Sequence, residues 1–394
     1  MNGIQTDLLT PLTIRGRTLR NRIAISPMCT YSATDGVAED FHLVHYGRFG
    51  LGGVGLVMIE ATAILPEGRI SHGDLGLWSD DQIGPLSRIV KVLRQQGAAV
   101  GIQLCHAGRK ANRQRPWQGN GPLSQEDHAR GERDWALKAP SPIAMADGYR
   151  VPDEISLQEM DGVRRAFVGA AGRALEADFD IIELHAAHGF LLHSFMSPLT
   201  NQRNDLYSGA FEDRHRYVFE VVKDVRAAWP QDRPLFVRAS MQDGAEGGRD
   251  FSETVALGKE LKQRGVDVVD CSSGGIGGHS ASTARQGPSG FGFQIPFAQR
   301  LRQESGIATM AVGLITDPVL ADTVIREGHA DIVAIGRQAL VEPNWPLLAE
   351  AALRGPGADG KRFSSWPTQY GWWLEGRRPV VEQLGADAWG RRTV

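Results

Sequence analysis

The residues of this chain that could do chemistry fall into a few short clusters. His185-Ala186-Ala187-His188 places two imidazoles three residues apart. Across a strand-to-helix turn, both can face one ligand and donate two hydrogen bonds to a single carbonyl or nitro oxygen. That polarises an adjoining alkene and stabilises enolate-like charge as hydride reaches its β-carbon. Arg238 offers a fixed cation to a ring edge that gains negative charge on reduction, and the Gln103 amide can donate and accept along the same edge. Ala61 is small enough to let a flat ring lie against backbone. Gly313 and Gly336 permit close backbone approach to a phosphate, with charge from Arg337 and the positive end of the next helix. Each residue also has a plainer role open to it: salt-bridge arginine, satisfied core amide, turn glycine, hydrogen-bonded structural histidine.

Such residues act only if the chain brings them together, and the pattern of elements does so. Short β-branched runs alternate with amphipathic segments of helical period, eight times over. The strands read as residues 22–28, 54–60, 98–104, 180–185, 234–239, 266–272, 309–314 and 331–336. Helices read as 82–96, 157–177, 210–229, 253–264, 296–305, 318–327 and 345–353, with a weaker first crossover at about 41–50. Gly97, Gly265 and Gly328 mark helix stops. The reading is a single (β/α)8 TIM barrel over the whole chain, whose chemistry belongs where strands end. There the clusters fall: Ser26-Pro27-Met28-Cys29-Thr30-Tyr31 after the first strand, His106 after the third, His185 and His188 after the fourth. Cys29 could touch a bound ring and Tyr31 could place its hydroxyl in the pocket; the plainer roles are a small buried hydrophobe and a half-buried phenol. Residues 12–19 read as a hairpin with Gly16 at its turn, plugging the barrel floor. Residues 108–155 form a lid insertion after strand three, and the loop around Gly287 to Phe293 shapes the pocket. The tail, about 356–394, is unusually aromatic and should dock on something.

Composition narrows the classes of function. With 394 residues, 42% apolar and 23% charged, there is material for a large core, and a net charge of -3 offers no basic field for nucleic acid or anionic lipid. A small-molecule substrate is expected, with no nucleic-acid or membrane partner. No leader-like or membrane-spanning run is present, which points to the cytoplasm. The three cysteines are too few for a disulfide framework or a four-thiolate cluster. A three-histidine metal site from His106, His185 and His188 is a rival reading, disfavoured because two arginines beside it suit an anionic cofactor.

Together the motifs resemble the Old Yellow Enzyme family of FMN-dependent ene-reductases, in its thermophilic-like subgroup. The resemblance runs from Leu8 to Trp373 and is carried by Ser26 to Tyr31, Gln103 to Lys110, His185 to Gly189, Ser197 to Asp205, and Ile335 to Arg337. It implies FMN against Ser26, Pro27, Met28, Cys29 and Ala61, with Gln103 and Arg238 on its ring and Gly313, Gly336 and Arg337 at its phosphate. It implies NADPH or NADH as reductant and a ping-pong reaction, hydride passing to flavin N5 and later to the alkene. His185 and His188, assisted by Tyr31, would bind the activating group. Two departures stand out. The family's Gly-Tyr, whose tyrosine is the proposed proton donor, is Gly189-Phe190 here, so water or Tyr31 must supply the proton, or the natural reaction is desaturation or reduction of nitro groups or quinones. Where subgroup members extend an arginine into a neighbouring subunit, this chain has Gln369-Tyr370-Gly371-Trp372-Trp373, so Trp372 or Trp373 is expected in the partner's pocket of a homodimer or homotetramer. A flavin-binding module without turnover is a further alternative.

Overall fold

The computed structural model describes residues 6–277, 290–357, 359–385, 387 and 389. Of the loop around Gly287 to Phe293, residues 287–289 lie outside the described residues.

Eight parallel strands close into a barrel. In chain order they are β1 (Ile23–Ile25), β2 (Leu56–Ala63), β3 (Ala99–Cys105), β4 (Ile181–Ala186), β5 (Leu235–Ser240), β6 (Val268–Ser272), β7 (Ala308–Ala311) and β8 (Ile332–Ile335). β8 pairs with β1 and closes the ring. All eight expected strands are present, with ends displaced by at most three residues. Two displacements have clear causes. β1 stops early because Pro27 has no N–H to continue the ladder after Ser26 bonds to Ile335. β7 stops early because Gly313 (φ 120) and Leu314 (φ 52) leave the extended region.

The crossover helices are Asp40–Leu51, Ile83–Gln95, Leu157–Glu176, Phe211–Ala228, Phe251–Gln263, Ile295–Ser305 and Pro318–Arg326, with Arg337–Val341 and Trp345–Arg354 after β8. Their starts are capped by side chains: Ser156 accepts from the Glu159 amide, Asp250 from Ser252 and Glu253, Asp317 from Leu320. Between strands and helices lies one continuous apolar layer that includes Phe49, Phe167, Tyr217 and Trp229. A second cluster fills the barrel's lower interior, where Leu56, Met58, Ile181, Phe236, Val268, Met310 and Ile332 meet Leu19. Leu19 comes from an antiparallel hairpin, Leu12–Ile14 with Arg17–Leu19. The left-handed residue of its turn is Arg15 (φ 50) rather than Gly16. Gly16 is needed for another reason, since a Cβ there would stand 2.9 Å from the Asp232 carbonyl oxygen.

Residues 108–155 run over the strands' C-terminal ends. Arg115 Nε donates to the Tyr31 carbonyl at 3.3 Å, the Trp117 ring meets the Tyr31 ring edge-on at 5.9 Å, and Arg109 and Lys110 donate to the carbonyls of Ile276 and Gly275 after β6. The tail forms a helix, Thr368–Gln383. Its approach segment, Ser365 to Tyr370, faces Arg20, Gly53 and Gln96 at the barrel's floor end. Among the described residues no helix is long and apolar enough to cross a membrane.

Candidate active site

A cavity of about 550 Å3 opens at the C-terminal ends of the strands. Strand alternation accounts for much of its lining. On β4, β5 and β6 the residues in step with the inner-core Ile181, Phe236 and Val268 are Glu183 and His185, Arg238 and Ser240, Asp270 and Ser272. The lining includes Ser26, Pro27, Met28, Cys29, Tyr31, Ala61, Gln103, His185, His188, Phe190, Arg238, Gly313, Gly336 and Arg337, so every expected residue outside the tail converges here. Trp372 and Trp373 do not; they lie elsewhere on the chain, more than two-thirds exposed, on an open cleft with Phe363 and Trp366.

His185 and His188 form the most constrained part of the wall. His185 Nδ1 accepts the Ala187 N–H at 3.2 Å, which leaves its proton on Nε2. That Nε2 lies 3.3 Å from His188 Nδ1, while His188 Nε2 lies 2.7 Å from Ser272 Oγ. The Ser240 hydroxyl accepts the His188 N–H at 3.0 Å and donates onward to the Gly274 carbonyl at 2.8 Å. Burial, reinforced by the charge of Arg238, holds both imidazoles well below the ordinary histidine range, so each is neutral at neutral pH. His188 (φ 60), Tyr31 (φ 51) and Leu314 (φ 52) all line the cavity on left-handed backbone, which concentrates strain at the site.

Below them sits a charged cluster at the barrel's centre. Gln103 and Glu183 are register partners across β3 and β4, and the amide donates to the carboxylate at 2.7 Å. Arg238 and Asp270 are register partners across β5 and β6, with Nε and Oδ2 at 3.0 Å but too poorly aligned to count as a hydrogen bond. Burial raises both carboxyls, Glu183 and Asp270, the charge of Asp270 raises Glu183 further, and Arg238 pulls both down. Arg238, whose side chain makes no hydrogen bond to the described residues, lines the cavity. Cys29 is a neutral thiol, pushed up by burial and by Asp74 and Glu60, and burial likewise keeps Tyr31 a neutral phenol.

The three-histidine metal reading fails on geometry. His106 Nδ1 accepts the Gly108 N–H at 3.1 Å, its ring packs beneath Gly68, and it takes no part in the cavity wall. Among the described residues no group of three or more ligating side chains could hold a metal. Several contributors went unsingled at the level of sequence: Ser272, Ser240, Gln294 and Ile70, and Gly275, where a Cβ would stand 2.5 Å from the His188 Cα. The two serines had a signal, since each ends a strand.

A guanidinium that is ion-paired with Asp270 but not hydrogen-bonded to it, an adjacent amide, and a glycine-lined end beside a second arginine suit a planar anionic cofactor, and this places the barrel among FMN-binding oxidoreductases. The residues present therefore fit FMN: Ser26 to Cys29, Ala61, Gln103 and Arg238 would hold its ring, and Gly313, Gly336 and Arg337 its phosphate. Comparison with known proteins agrees. Residues 7–354 match the NADH:flavin oxidoreductase / NADH oxidase family, and the chain belongs to it. It is 41% identical over 352 residues to an NADPH dehydrogenase of Geobacillus sp. (strain WCH70), covering 89% of this chain and 95% of that one. It is 40% identical to an NADPH dehydrogenase of Bacillus subtilis (strain 168), covering 88% and 95%. Among solved structures, a morphinone reductase variant in complex with tetrahydroNAD superposes with a TM-score of 0.70 at 26% identity, over 88% of this chain and 90% of that one. The Old Yellow Enzyme resemblance thus holds, and the protein is an FMN-dependent NAD(P)H oxidoreductase.

Proposed function

We propose that this enzyme reduces activated C=C bonds in small molecules such as enones, maleimides and nitroalkenes, with NADPH as the usual reductant. FMN, held by Ser26 to Cys29, Ala61, Gln103 and Arg238, would supply the hydride-transfer chemistry between nicotinamide and alkene. The chain's own contribution begins with the substrate's carbonyl or nitro oxygen. The observation that carries the reading is the 3.3 Å separation of His185 Nε2 and His188 Nδ1 on the wall that also bears Cys29, Gln103 and Arg238. Two neutral nitrogens that close can converge on one oxygen and hold its developing negative charge.

Phe190 stands with its ring 4.5 Å from the His185 ring. It packs against the imidazole but has no proton to give. Tyr31, a neutral phenol on the same cavity, or a water admitted beside it, delivers the proton to the α-carbon. The same residue favours a second reading: quinone and nitro reduction place their protons on oxygen and need no acid aimed at a carbon from that position.

The tail completes the site in a homodimer or homotetramer, with Trp372 or Trp373 entering the partner's cavity. Two observations support this: both side chains are more than two-thirds exposed, and the segment leading to them faces the floor end of its own barrel. The enzyme works in the cytoplasm on diffusible substrates. Anaerobic titration with NADPH, then with enones, maleimides, nitroalkenes and quinones, tests the assignment. Failure of NADPH to bleach a bound flavin refutes it; reoxidation by quinones and nitro compounds alone replaces it with the second reading.

A further inference from the structure

Glu60 plays no part in the chemistry above, yet it is completely buried at the edge of the site. The alternation that turns Leu56 and Met58 into the barrel would turn Glu60 inward as well. A bulge prevents this. Pairing with β3 skips from Ile59 opposite Ile102 to Ala61 opposite Gln103, and the phase of the strand reverses there. Ala61 then lines the cavity, and the Glu60 carboxylate reaches back to the segment after β1 and to the helix Asp40–Leu51.

What it finds there is a set of donors. Oε2 accepts the Thr30 N–H; Oε1 accepts the Thr30 hydroxyl at 2.8 Å and the Tyr46 hydroxyl at 2.9 Å. Glu39 N–H donates to His42 Nδ1 at 3.0 Å, so the His42 proton is on Nε2, 3.3 Å from Thr30 Oγ1. The Thr30 hydroxyl proton is thereby turned towards Glu60. The Glu60 N–H lies 3.1 Å from the Tyr46 hydroxyl oxygen and orients that proton the same way. Each of these donors points at the carboxylate. Burial, with a smaller push from the Asp74 charge, lifts its pKa to about 7 against the pull of these bonds. The ionised form is the one this geometry satisfies.

We infer that Glu60 is a positioning residue: by holding Thr30 at both its amide and its hydroxyl, it fixes where the Cys29 thiol and the Tyr31 phenol stand on the cavity wall. Thr30 lies between the two. Tyr31 sits on left-handed backbone (φ 51) and needs anchoring on both sides. Arg115 supplies the far side by donating to the Tyr31 carbonyl at 3.3 Å. The inference rests on the reading that this rim meets FMN and substrate.

The test uses holoenzyme variants Thr30→Val, Thr30→Ser, Glu60→Gln and Glu60→Ala, with two readouts. One is KM and kcat for an enone such as 2-cyclohexenone. The other is the rate at which iodoacetamide alkylates Cys29, located by mass spectrometry; Cys105 and Cys271 are buried. Thr30→Val should raise KM roughly tenfold, as expected for one lost hydrogen bond to a charged acceptor, and should speed Cys29 alkylation by several-fold on the same account. Thr30→Ser, which keeps both donors, should restore wild-type values. Glu60→Ala should exceed Thr30→Val on both readouts, with Glu60→Gln between. If Glu60→Ala does not fold, the Thr30 pair decides. Wild-type KM and alkylation rate in Thr30→Val overturn the inference, even with a lowered melting temperature, since a merely structural clamp would show only that. Alkylation needs no alkene, so the clamp is read even if His185→Ala and His188→Ala leave KM unchanged and the alkene assignment falls.

Discussion

Removing the Ser272 hydroxyl tests how the imidazole pair works. His185 must carry its proton on Nε2, because the Ala187 N–H occupies Nδ1. His188 has two options, set by Ser272 Oγ at 2.7 Å from Nε2. With Ser272 accepting, His188 carries Nε2–H and its Nδ1 takes the His185 proton at 3.3 Å, which consumes one donor inside the pair. With Ser272 donating, the proton moves to Nδ1, and two N–H groups face one substrate oxygen. Substrate binding should therefore select the second tautomer, at the expense of one internal bond and with the gain of two to a charged oxygen. A neutral hydrogen bond contributes about 1 kcal/mol and a charge-assisted one about 1.5–3 kcal/mol. Ser272→Ala should therefore lower kcat/KM for enones roughly fivefold, and His188→Ala, which deletes a charge-assisted donor itself, by roughly 10- to 100-fold. Both should act on the alkene half-reaction and leave the rate of flavin reduction by NADPH closer to wild type. Nitrogen-15 NMR of histidine-labelled enzyme with the phenolate of 4-hydroxybenzaldehyde reads the tautomer directly. A His188 proton that stays on Nε2 when this oxyanion is bound refutes the reasoning, as does wild-type kcat/KM in Ser272→Ala alongside a crippled His188→Ala.

Phe190→Tyr should raise alkene turnover by about tenfold or more if the α-carbon lacks a well-placed acid, and no gain with FMN fully bound rules out a donor deficit. Gly313→Ala should weaken FMN by about one to two orders of magnitude, because its φ of 120 resists a side chain and the new Cβ would stand 2.9 Å from Gln294 Nε2; an unchanged FMN dissociation constant removes Gly313 from the phosphate site. Truncation after Trp366 should impair both assembly and alkene turnover, and a truncated enzyme that stays oligomeric and fully active shows that the tail does not enter a neighbouring cavity. Burial holds His106 and His45 at about 4, whereas unfolded histidine titrates near 6.5. Both are neutral bases in the native state, so their contribution is intact above about pH 6.5 and falls as the pH drops towards 4, by about 2 kcal/mol per histidine at pH 5. Equal urea midpoints at pH 7 and pH 5 would contradict that.

The barrel was legible because its information is local. An apolar run of five to seven residues, a glycine stop and a Ser or Asp cap each announce an element without reference to anything distant. Strand ends were legible for the same reason wherever a residue type enforces them, as Pro27 does for β1. The residues expected against FMN converge because they follow strand ends, and in a closed parallel barrel all strand ends share one face. His106 shows the limit of that rule. It follows β3 as closely as His185 and His188 flank the end of β4, but a turn at Ala107 and Gly108 folds its ring back onto Gly68. A backbone hydrogen bond two residues on takes its nitrogen, and nothing in the residue types around it announces that.

What escaped the sequence depends on phase between strands. Arg238 meets Asp270 and Gln103 meets Glu183 because adjacent parallel strands place them in register, a relation between segments dozens of residues apart. Glu60 is the sharper instance. Read with period two from Leu56, it belongs inside the barrel; a single skipped pairing turns it out and brings in Ala61, whose place at the ring was expected, while the surrounding residues, apolar on both faces, leave no mark of where Glu60 goes. The exchange has chemical consequences on each side. It puts a methyl group where a flat ring must approach backbone, and it puts a carboxylate behind the rim, where it faces the backbone amide of the residue between Cys29 and Tyr31. Had β2 kept its phase, a carboxylate would have lined the cavity near Gln103 and opposed the reduction that a cation at Arg238 would favour, so the bulge keeps a negative charge off the wall where the ring would lie.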